Sequence, residues 1–458
     1  KLGLQITDRL TTPDMGSWEP QQNILKEYLV PTHSMSEPLL ALCVDSFAKH
    51  VTSNLTEEDI EDVHVVPLSV AVNGYPGVPN VDAQKFATAA GHGLPGPKKK
   101  YLAFDGPKGE WGRYREYDQA VYDEVEAIYK LAIQGIRSHP IFTAQLKDEM
   151  VSLMKKMLKK TRGFYMCPLA FLTVMRIFTT GLTRVMVRRR KLFRHAVGLN
   201  THSEEWNDLH QSANKIPGDN WMAGDFKGFD KILNILLQNG AKDVILQICR
   251  YCGFTEQELL ALDTLLCDNI TAVIDFFGVL IMLLGGEVSG HQITTFFNSI
   301  CNVLLHLYAW VYLAKENGFD PKKKVHEFWV LVFICVLGDD IMAKVSPESP
   351  WYNHTTVQRV FAGIGIEYTM ADKTSESVPY IPCEDVGFLK RRFASHEAFP
   401  GIVVAPLEKE SIYKMMVYTV PSRSVSPEEQ IAMALCSAVS EAFFHGRDFY
   451  NKIRKLIE

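Results

Sequence analysis

The stretch from Phe328 to Val345 reads FWVLVFICVLGDDIMAKV and decides the fold. Its first ten residues, Phe328 to Leu337, are all apolar and rich in Val, Ile and aromatic side chains, which predicts a strand buried on both faces. Gly338 interrupts this run, and Ile341 to Val345 resumes with residues that favour strands. The pattern therefore predicts a strand, a tight turn and a second strand.

Two adjacent acids, Asp339 and Asp340, fall on the predicted turn. Their carboxylates repel each other, whereas a bound divalent cation would make the same arrangement favourable. A Gly-Asp-Asp turn is equally consistent with an ordinary hairpin. The rest of the chain has to decide between a metal site and a structural turn.

Length and hydropathy limit the class of protein. A chain of 458 residues exceeds what one compact core holds, so we expect two or three subdomains. The longest apolar stretches, Ala272 to Leu284 and Phe328 to Leu337, are shorter than the roughly 18 to 20 residues of a membrane span, so no transmembrane segment is predicted. The chain begins with Lys1 and carries no charged-then-apolar leader, so we expect no signal peptide and interpret the chain either as a fragment cut from a longer precursor or as a trimmed form.

The nine cysteines favour free thiols in a reducing compartment, because their number is odd and they are scattered along the chain. Cys249 and Cys252 form a single C-x-x-C with no second pair and no spaced histidines, so two thiols packed in a helix are a better interpretation than a zinc site.

The charge is unevenly distributed. The net charge of −5 alone argues against a nucleic-acid partner, but Lys147 to Arg194 holds thirteen Lys or Arg and two acids, a local +11 that leaves −16 elsewhere. A solvated basic face is the usual explanation, yet no acid lies between Glu149 and Glu204, which favours contact with a polyanion. Like charges four residues apart would repel along a helix at Lys155 with Lys159 and at Lys156 with Lys160.

Two further acids, Asp225 and Asp230, are predicted on a short strand that leads into a helix, Lys231 to Asn239, ended by Gly240. Alone they would be a strand end and a helix N-cap. Together with the Gly-Asp-Asp turn they favour a metal site, because a shared metal site requires a carboxylate from a neighbouring strand.

A polar stripe marks the predicted helix from His291 to Glu316. Thr294, Asn298 and Asn302 lie four residues apart and so share one face of an otherwise apolar helix. These side chains need partners, which are either neighbouring strands or, together with Ser289, the hydroxyls of a sugar.

A glycine-rich loop precedes three lysines, Lys98, Lys99 and Lys100. Gly91, Gly93 and Gly96 match the G-x-G-x-x-G of a dinucleotide fold, but no apolar strand precedes them and prolines interrupt the position of the phosphate-binding helix. A strap against a nucleic-acid backbone is the better interpretation of this loop.

The chain after the predicted hairpin carries two more basic loops and a helical end. A loop places Lys373 after Tyr368, and Phe388 to Phe393 predicts a hairpin with cations between apolar anchors. Ser426 to Glu429 is a capping box with Pro at the first helical position, and the predicted helix runs to His445 and Gly446 before a basic helix, Arg447 to Glu458.

Separated acids, a polar helix face and a basic segment are together the parts of a nucleotidyl transferase that uses two Mg²⁺ ions. In order and spacing they resemble the motifs of the RNA-dependent RNA polymerases of positive-strand, picorna-like viruses, over most of the chain. The matching segments are Asp225 with Asp230 (motif A), Ser289-Gly290 with Thr294 and Asn298 (motif B), Gly338-Asp339-Asp340 (motif C), Ala371-Asp372-Lys373 (motif D), Phe388-Leu-Lys-Arg391 (motif E) and Lys147-Asp-Glu through Arg162 (motif F).

The resemblance implies an α/β (α+β) fold in the form of a closed right hand. Fingers would span 1–217, with a basic nucleotide-entry segment at about 147–194. A palm with a ferredoxin-like antiparallel sheet would span 218–398, with about 241–285 returning to the fingers. A helical thumb would span 399–458.

The resemblance also implies the roles of individual residues. Asp225, Asp339 and Asp340 would hold two Mg²⁺ ions, for which Mn²⁺ is a candidate substitute, and Lys373 would protonate the leaving pyrophosphate. Nucleotide contacts are implied at the triphosphate for Lys147, Lys160 and Arg162, and at the ribose for Asp230, Ser289, Gly290, Thr294 and Asn298. Contacts with RNA are predicted for Lys98, Lys99, Lys100, Arg188, Arg189, Lys390 and Arg391.

The implied activity is replication of a positive-strand viral genome, with RNA template and primer, nucleoside triphosphates and a small genome-linked primer protein as partners. The implied location is the host-cell cytoplasm, at membrane-associated complexes reached through other viral replication proteins. The finger loop departs from the family's usual Thr-Ser-x-Gly-Tyr-Pro at Thr88 to Gly93, and the chain lacks the N-terminal Gly of enteroviruses, which favours an insect iflavirus or dicistrovirus.

Two other classes remain open. A reverse transcriptase or other palm polymerase would share the metal-binding acids, but Asp230 and Asn298 favour a ribonucleotide enzyme. A non-catalytic RNA-binding scaffold with the same fold would have no need of Asp225, Asp339 and Asp340.

Overall fold

The fold is described from a computed structural model of the chain, for residues 9–28, 34–109, 112–288, 290–422 and 424–458. The elements before residue 220 are β1 (Leu10–Thr11), α1 (Glu19–Tyr28), α2 (Glu37–Thr52), α3 (Glu57–Asp62), α4 (Leu68–Asn73), β2 (Leu102–Asp105), β3 (Arg115–Tyr117), α5 (Gln119–Ala132), β4 (Ile141–Leu146), β5 (Val151–Ser152), α6 (Leu153–Met157), β6 (Gly163–Met166), α7 (Leu169–Arg188) and α8 (Glu205–Ala213).

The middle of the chain contains β7 (Trp221–Phe226), α9 (Phe229–Ile232), α10 (Ile235–Tyr251), α11 (Glu256–Ile270), β8 (Val273–Phe276), β9 (Val279–Met282), α12 (Thr294–Glu316), α13 (Pro321–Leu331), β10 (Val332–Leu337), β11 (Asp340–Val345), α14 (His354–Gly363) and β12 (Tyr368–Met370). The last elements are β13 (Ala394–His396), β14 (Phe399–Val404), α15 (Lys409–Val417), α16 (Pro427–Phe443) and α17 (Arg447–Ile457).

A four-stranded antiparallel sheet, in the order β10-β11-β7-β12, lies at the centre of the site. Its side chains alternate between two apolar layers, as the pleat of a strand requires. In β10, Ile334 and Val336 join the main core, whereas Phe333 and Cys335 join a second cluster around Trp206. Helices α12 and α14 contact the sheet on the main-core side, and α8 contacts β10. The prediction that the strand before the turn is buried on both faces is confirmed.

The predicted start of that strand is wrong. Phe328 to Leu331 form the last turn of α13, which begins after the N-cap Asp320 with Pro321 in its first turn, and β10 starts only at Val332. An unbroken apolar run cannot distinguish a buried helix end from a buried strand, because both hide every side chain.

Gly240 does not end a helix. α10 starts after the N-cap Asn234, runs through Gly240 and continues to Tyr251. At Gly240 this helix packs closely on α2, where an added Cβ would lie 3.2 Å from Val44 Cγ2 and 3.5 Å from a methyl group of Leu40. The glycine therefore serves close helix packing.

The four lysines at positions 155, 156, 159 and 160 do not lie along one helix, although their spacing suggested it. α6 ends at Met157, and Lys159 follows with a left-handed φ of 55°. The lysine pairs four residues apart therefore do not stack along a helix, and the Nζ of Lys159 instead lies 2.5 Å from Asp14 Oδ2. The polar-stripe helix begins at Thr294, three residues later than predicted.

The remaining elements form a second sheet and a helical end. The second sheet has the order β6-β4-β8-β9, with β4 and β8 parallel. Helices α15, α16 and α17 share a small core that includes Ile412, Ala438 and Ile453. The capping box at Ser426 and Glu429 is confirmed, although α16 ends at Phe443 rather than at His445.

Two helices, α7 and α12, are long and apolar enough to cross a membrane by length and composition. In each of them, 89% of the most apolar window is buried inside the protein, as in the core helices of water-soluble folds. Their length is therefore weak support for a membrane span.

The glycine loop is not a dinucleotide motif. A bridge between Ala89 and Pro97 closes the loop, and a short 3₁₀ turn, Lys98–Tyr101, follows where a phosphate-binding helix would begin. Gly91 has a φ of 98°, and an added Cβ there would lie 2.7 Å from the carbonyl oxygen of Cys167. That close approach explains the glycine without a nucleotide.

Candidate active site

The turn between β10 and β11 is a two-residue hairpin turn. Leu337 pairs with Asp340, which leaves Gly338 and Asp339 as the turn, and Gly338 has the positive φ (62°) that such turns favour. Helix α12 holds its backbone: Ser299 Oγ accepts from the Gly338 N–H at 3.1 Å, and Asn302 Nδ2 donates to the Gly338 carbonyl at 2.8 Å. The predicted strand, turn and strand are confirmed, and the exposed Asp339 carboxylate sits on a fixed backbone.

Asp225 lies beside this turn on the adjacent strand. Gly224 of β7 pairs with Ile341 of β11, so the next residues along the two strands, Asp225 and Asp340, are neighbours at the end of the sheet. The Nζ of Lys373 lies 2.9 Å from Asp225 Oδ2. Lys373 follows β12 with a φ of 65° and is two-thirds exposed, at 67%. The sheet thus brings three predicted acids and one predicted lysine together.

Burial and the neighbouring carboxylates make it costly to ionise Asp340. Burial raises the pKa of Asp340 to about 6, the carboxylates of Asp339 and Asp225 add to the shift, and Lys373 and Lys390 oppose it. Clustered acids with one strongly raised pKa are unfavourable for folding and are typical of functional sites.

The carboxylate oxygens are the hard donors that Mg²⁺ and Mn²⁺ prefer. Among the described residues, no three His, Cys, Asp or Glu side chains converge as a ready-made metal site. In this structure the cation beside Asp225 is the Lys373 ammonium. The donor chemistry and the repulsion around Asp340 fit divalent cations, provided that Asp225 exchanges its lysine for metal.

The raised pKa of Asp340 predicts how stability depends on pH without metal. The carboxyl binds its proton more tightly in the folded chain (pKa about 6) than unfolded, where its ordinary value is 3.8. Stability contributed by this group is therefore full below about pH 4 and is lost as the pH rises through 6. We expect Asp340→Asn to have a higher Tm than the wild type at pH 8 in EDTA, and an equal Tm below pH 4. Thermal melts across this range check it, and an Asp340→Asn protein less stable at pH 8 would contradict it.

Two helices carry the predicted ribose contacts: Asp230 lies on α9, and Thr294 and Asn298 lie on α12, the helix that holds the hairpin turn. Asp230 sits in α9 just after β7, and burial raises its pKa while Arg162 opposes the shift. Asn298 Oδ1 is buried without a hydrogen-bond partner among the described residues, and Thr294 Oγ1 donates to the His291 carbonyl at 3.3 Å. An orphaned buried acceptor is costly unless a ligand satisfies it.

Gly290 lies where no side chain fits. Its φ is 111°, and an added Cβ would lie 2.1 Å from the carbonyl oxygen of Tyr165 in β6. The predicted contact Ser289 lies outside the described residues, and its role stays a prediction.

The predicted triphosphate contacts lie at the end of the β4–β6 ladder. The Lys147 N–H donates to the Arg162 carbonyl at 2.8 Å, so these two residues face each other. Sequence reasoning missed Glu149, whose carboxylate lies 3.2 Å from Lys147 Nζ and 3.5 Å from Arg162 Nη1. Arg162 remains 69% exposed and Lys160 is exposed, so both can still bind an anion.

Two of the predicted RNA contacts are committed to protein carboxylates. Arg188 pairs with Asp59 at 2.6 Å and with Asp62 at 2.6 Å, both in α3, and Arg189 lies 3.5 Å from Asp59. The acids that offset this basic patch are far away in sequence and close in space. We therefore revise the assignment of Arg188 to RNA, because its guanidinium group holds α7 against α3. Contact of Arg189 with RNA stays a prediction, since a third of its side chain is exposed.

Of the three adjacent lysines predicted to contact RNA, one is buried and two are exposed. Lys98 is buried, its Nζ donates to Thr88 Oγ1 at 3.0 Å, and burial lowers its pKa. It does not face a solvent channel in this structure. Lys99 and Lys100 are exposed and stay candidates for RNA contact.

The predicted hairpin at Phe388 is confirmed, and it separates two adjacent cations. Phe388 and Arg391 bridge each other across Leu389 and Lys390, whose φ values are 56° and 58°. Lys390 is exposed at the turn. Arg391 is buried and binds Glu441 of α16 through two parallel bonds of 2.7 and 2.8 Å. Its assignment to RNA is revised, because the guanidinium links this turn to the C-terminal helices.

The buried pair of Arg391 and Glu441 predicts that loss of Arg391 lowers stability without weakening RNA binding. Burial alone would raise the pKa of Glu441, but Arg391 and His202 hold that pKa below its ordinary value. We expect Arg391→Met to lower the free energy of unfolding by about 3–5 kcal/mol, the usual cost of breaking a buried pair. Denaturant unfolding measures this loss.

The neighbouring Lys390 provides the matched control. Lys390→Met is expected to keep stability and to reduce the slope of log K against log salt for RNA binding by about 0.7–0.9, one phosphate contact. Arg391→Met should leave that slope unchanged. A reduced salt slope in Arg391→Met, with an unchanged slope in Lys390→Met, would restore Arg391 as an RNA contact.

Several residues that shape the site carried no recognisable signal in the sequence. Ser299 holds the hairpin turn without any signal in the sequence, and Asn302, which the sequence marks only as part of the polar stripe, holds the same turn. Glu287 and His291 form a fully buried pair in the loop before α12. Each of these contacts depends on a residue distant in sequence or on the fold of a loop, which periodicity does not report.

Comparisons with known proteins show what the chain is similar to. The family model described as viral RNA-dependent RNA polymerase matches residues 5–458. The RNA1 polyprotein of Satsuma dwarf virus is 29% identical over 405 residues, which cover 86% of this chain and 19% of the polyprotein. The replicase polyprotein of Cricket paralysis virus is 26% identical over 366 residues, covering 77% of this chain and 20% of the polyprotein. The chain spans about a fifth of the length of these curated relatives.

A solved structure shares the fold. The Sicinivirus 3Dpol RNA dependent RNA polymerase superposes with a TM-score of 0.79 and 19% sequence identity, covering 99% of this chain and 88% of that chain. At this identity the likeness shows the fold alone. The predicted right-hand α/β architecture is confirmed.

Proposed function

Because the chain belongs to the viral RNA-dependent RNA polymerase family, we propose that it copies RNA by transferring nucleotides from ribonucleoside triphosphates to an RNA 3′-hydroxyl. One observation carries the proposal: β7 and the β10–β11 turn bring Asp225, Asp339 and Asp340 together at one end of a sheet, beside Lys373. Folding gains nothing from this clustering of acids, whereas phosphoryl chemistry requires it.

We assign the metal-holding role to Asp225 and Asp339, with Asp340 as a supporting carboxylate. Two bound Mg²⁺ ions would supply an activated 3′-hydroxyl and neutralise charge on the phosphates. Mn²⁺ is a candidate substitute, since it accepts the same oxygen donors. Burial, together with repulsion from the carboxylates of Asp339 and Asp225, raises the pKa of Asp340, and this unfavourable clustering supports the assignment.

The other side chains of the chain position the nucleotide. Lys147, Lys160 and Arg162 would bind the triphosphate, where the exposed Arg162 guanidinium suits a phosphate fork. Lys373 would release its hold on Asp225 and donate a proton from Nζ to the pyrophosphate oxygen.

At the sugar, Asp230, Thr294 and Asn298 would read the 2′-hydroxyl, together with Ser289 and Gly290. The buried, unpartnered Asn298 Oδ1 supports this role, because a ribose hydroxyl would satisfy it. Lys99, Lys100, Arg189 and Lys390 are the candidates for contact with RNA phosphates.

The wider context is part of the same proposal. Residues 1–217 would form the fingers, 218–398 the palm, with 241–285 returning to the fingers, and 399–458 the thumb. The relatives are named replicase, genome or RNA1 polyproteins, which supports a role in copying a positive-strand viral genome in the host-cell cytoplasm. A genome-linked primer protein and other viral replication proteins, through which membranes would be reached, are proposed as partners on the resemblance.

The test is extension of an annealed RNA primer–template by one labelled nucleotide at a time, with Mg²⁺ and with EDTA. We expect only the ribonucleotide complementary to the template to be added, and none in EDTA. An annealed primer removes any need for a primer protein. RNA binding without extension would favour a non-catalytic scaffold, and comparable addition of deoxynucleotides would favour a reverse transcriptase.

A further inference from the structure

A buried carboxylate, Glu287, lies in the loop that leads from β9 to α12, the helix that carries the proposed ribose contacts Thr294 and Asn298. Its side chain and that of His291 are both 0% exposed, and Glu287 Oε1 lies 2.8 Å from His291 Nε2. The Asn269 amide of α11 adds long contacts of 3.4 and 3.5 Å to the two carboxylate oxygens. A buried acid costs free energy unless it is paired, so this arrangement requires a reason beyond packing.

The hydrogen bonds fix the tautomer of His291. Its Nδ1 accepts from the Ile293 N–H at 3.4 Å, so the proton lies on Nε2 and is donated to Glu287. The carbonyl of the same histidine accepts the hydroxyl of Thr294 at 3.3 Å. The Glu287 carboxylate therefore fixes the residue that orients the Thr294 hydroxyl.

The backbone of the same loop holds the other ribose contact. The Glu287 N–H donates to the Asp230 carbonyl at 2.6 Å, and the Gly286 N–H donates to the Leu233 carbonyl at 2.7 Å. Gln238 of α10 donates to the Gly286 carbonyl at 3.2 Å. The two sides of the proposed ribose site, Asp230 and Thr294, are thus joined through one residue.

We propose that Glu287 is a positioning residue that sets the discrimination between ribose and deoxyribose, by fixing Asp230 through its backbone and Thr294 through His291. This inference rests on the proposed function. It assigns no contact between Glu287 and substrate, because the side chain is fully buried behind the loop.

The test compares kcat/KM for a ribonucleotide and for its 2′-deoxy analogue in single-nucleotide extension. Glu287→Gln keeps the size of the side chain and removes its charge. We expect it to lower the ribose to deoxyribose ratio about tenfold, since misplacing a substrate contact by 1 Å costs about 10²-fold. The loss should fall on the ribonucleotide, because the deoxynucleotide makes no contact through a 2′-hydroxyl. A purely structural role would lower both values equally.

His291 gives an independent pair of variants. His291→Leu removes the Nε2 donor and is expected to reduce the ratio, whereas His291→Gln places a donor amide near the same position and is expected to restore most of it. This pair carries the test if Glu287→Gln fails to fold.

Asp268 of α11 provides the matched control. It is also a buried acid on the same helix as Asn269, but its carboxylate pairs with Arg137 at 2.8 Å rather than with His291. Asp268→Asn should lower Tm and leave the ratio unchanged. Ratios for Glu287→Gln and His291→Leu within twofold of the wild type would overturn the inference, while loss of all extension by the wild type would overturn the proposed function instead.

Discussion

Asp339→Asn is expected to reduce ribonucleotide incorporation by at least about 10³-fold while leaving the fold intact. Asp339 is exposed at the tip of the β10–β11 hairpin. Ser299 holds the backbone of this turn at the Gly338 N–H and Asn302 holds it at the Asp339 carbonyl, so the Asp339 carboxylate is not part of these contacts. The carboxylate is therefore free to serve chemistry, and a metal ligand contributes several kcal/mol to stabilising the transition state. Single-turnover extension of a primed RNA template measures the loss.

Glu348→Gln is the matched control for this change. Glu348 is also an exposed acid and lies just beyond the opposite end of the same hairpin, after β11. It should extend RNA at the wild-type rate, and both variants should melt within a few degrees of the wild type. Wild-type activity in Asp339→Asn would remove the carboxylate from the proposed mechanism.

Lys373→Leu is expected to slow single-turnover incorporation by about 10²-fold, the lower end of what a positioned general acid contributes. Its Nζ lies 2.9 Å from Asp225 and is largely exposed, so it reaches the site without being needed to fill a core. Lys373→Arg should not recover the full rate, because a guanidinium gives up its proton far less readily than an ammonium.

Lys227→Leu is the control for loss of an exposed lysine near the same sheet. Lys227 follows β7 and pairs with Glu367 at 2.7 Å, beside β12. An exposed pair of this kind contributes at most about 1 kcal/mol to stability. We expect normal incorporation by Lys227→Leu, and equal rates for Lys373→Leu and Lys227→Leu would argue against a catalytic lysine.

Local signals made the hairpin and the helix caps predictable. A Gly-Asp turn between apolar runs, a capping box at Ser426 and the tight turn after Phe388 each depend on a few consecutive residues. The strand boundary at Val332 was not predictable, because the apolar run continues without a break from the end of α13. Gly240 was wrongly predicted to end a helix, because the glycine is explained by the close approach of α2, which the local sequence does not show.

The acids of the site were predictable in identity, while the contacts that hold them were not. Asp225, Asp339 and Asp340 could be singled out because the order and spacing of the motifs resemble those of a polymerase family, whereas each acid alone is equally consistent with a structural turn or a strand end. The sequence assigns Arg188 and Arg391 to RNA and does not reveal their ion pairs, because the partners Asp59 and Glu441 lie 129 and 50 residues away. A count of charges along the sequence does not show which arginines are neutralised by carboxylates that the fold brings next to them.

The most direct test of the central claim is to locate the metal. Crystals grown with Mn²⁺ and a non-hydrolysable ribonucleoside triphosphate would be measured at the manganese absorption edge. The account predicts anomalous peaks between the carboxylates of Asp225 and Asp339, with Lys373 displaced from Asp225. Bound nucleotide with no anomalous peak at these carboxylates would contradict it.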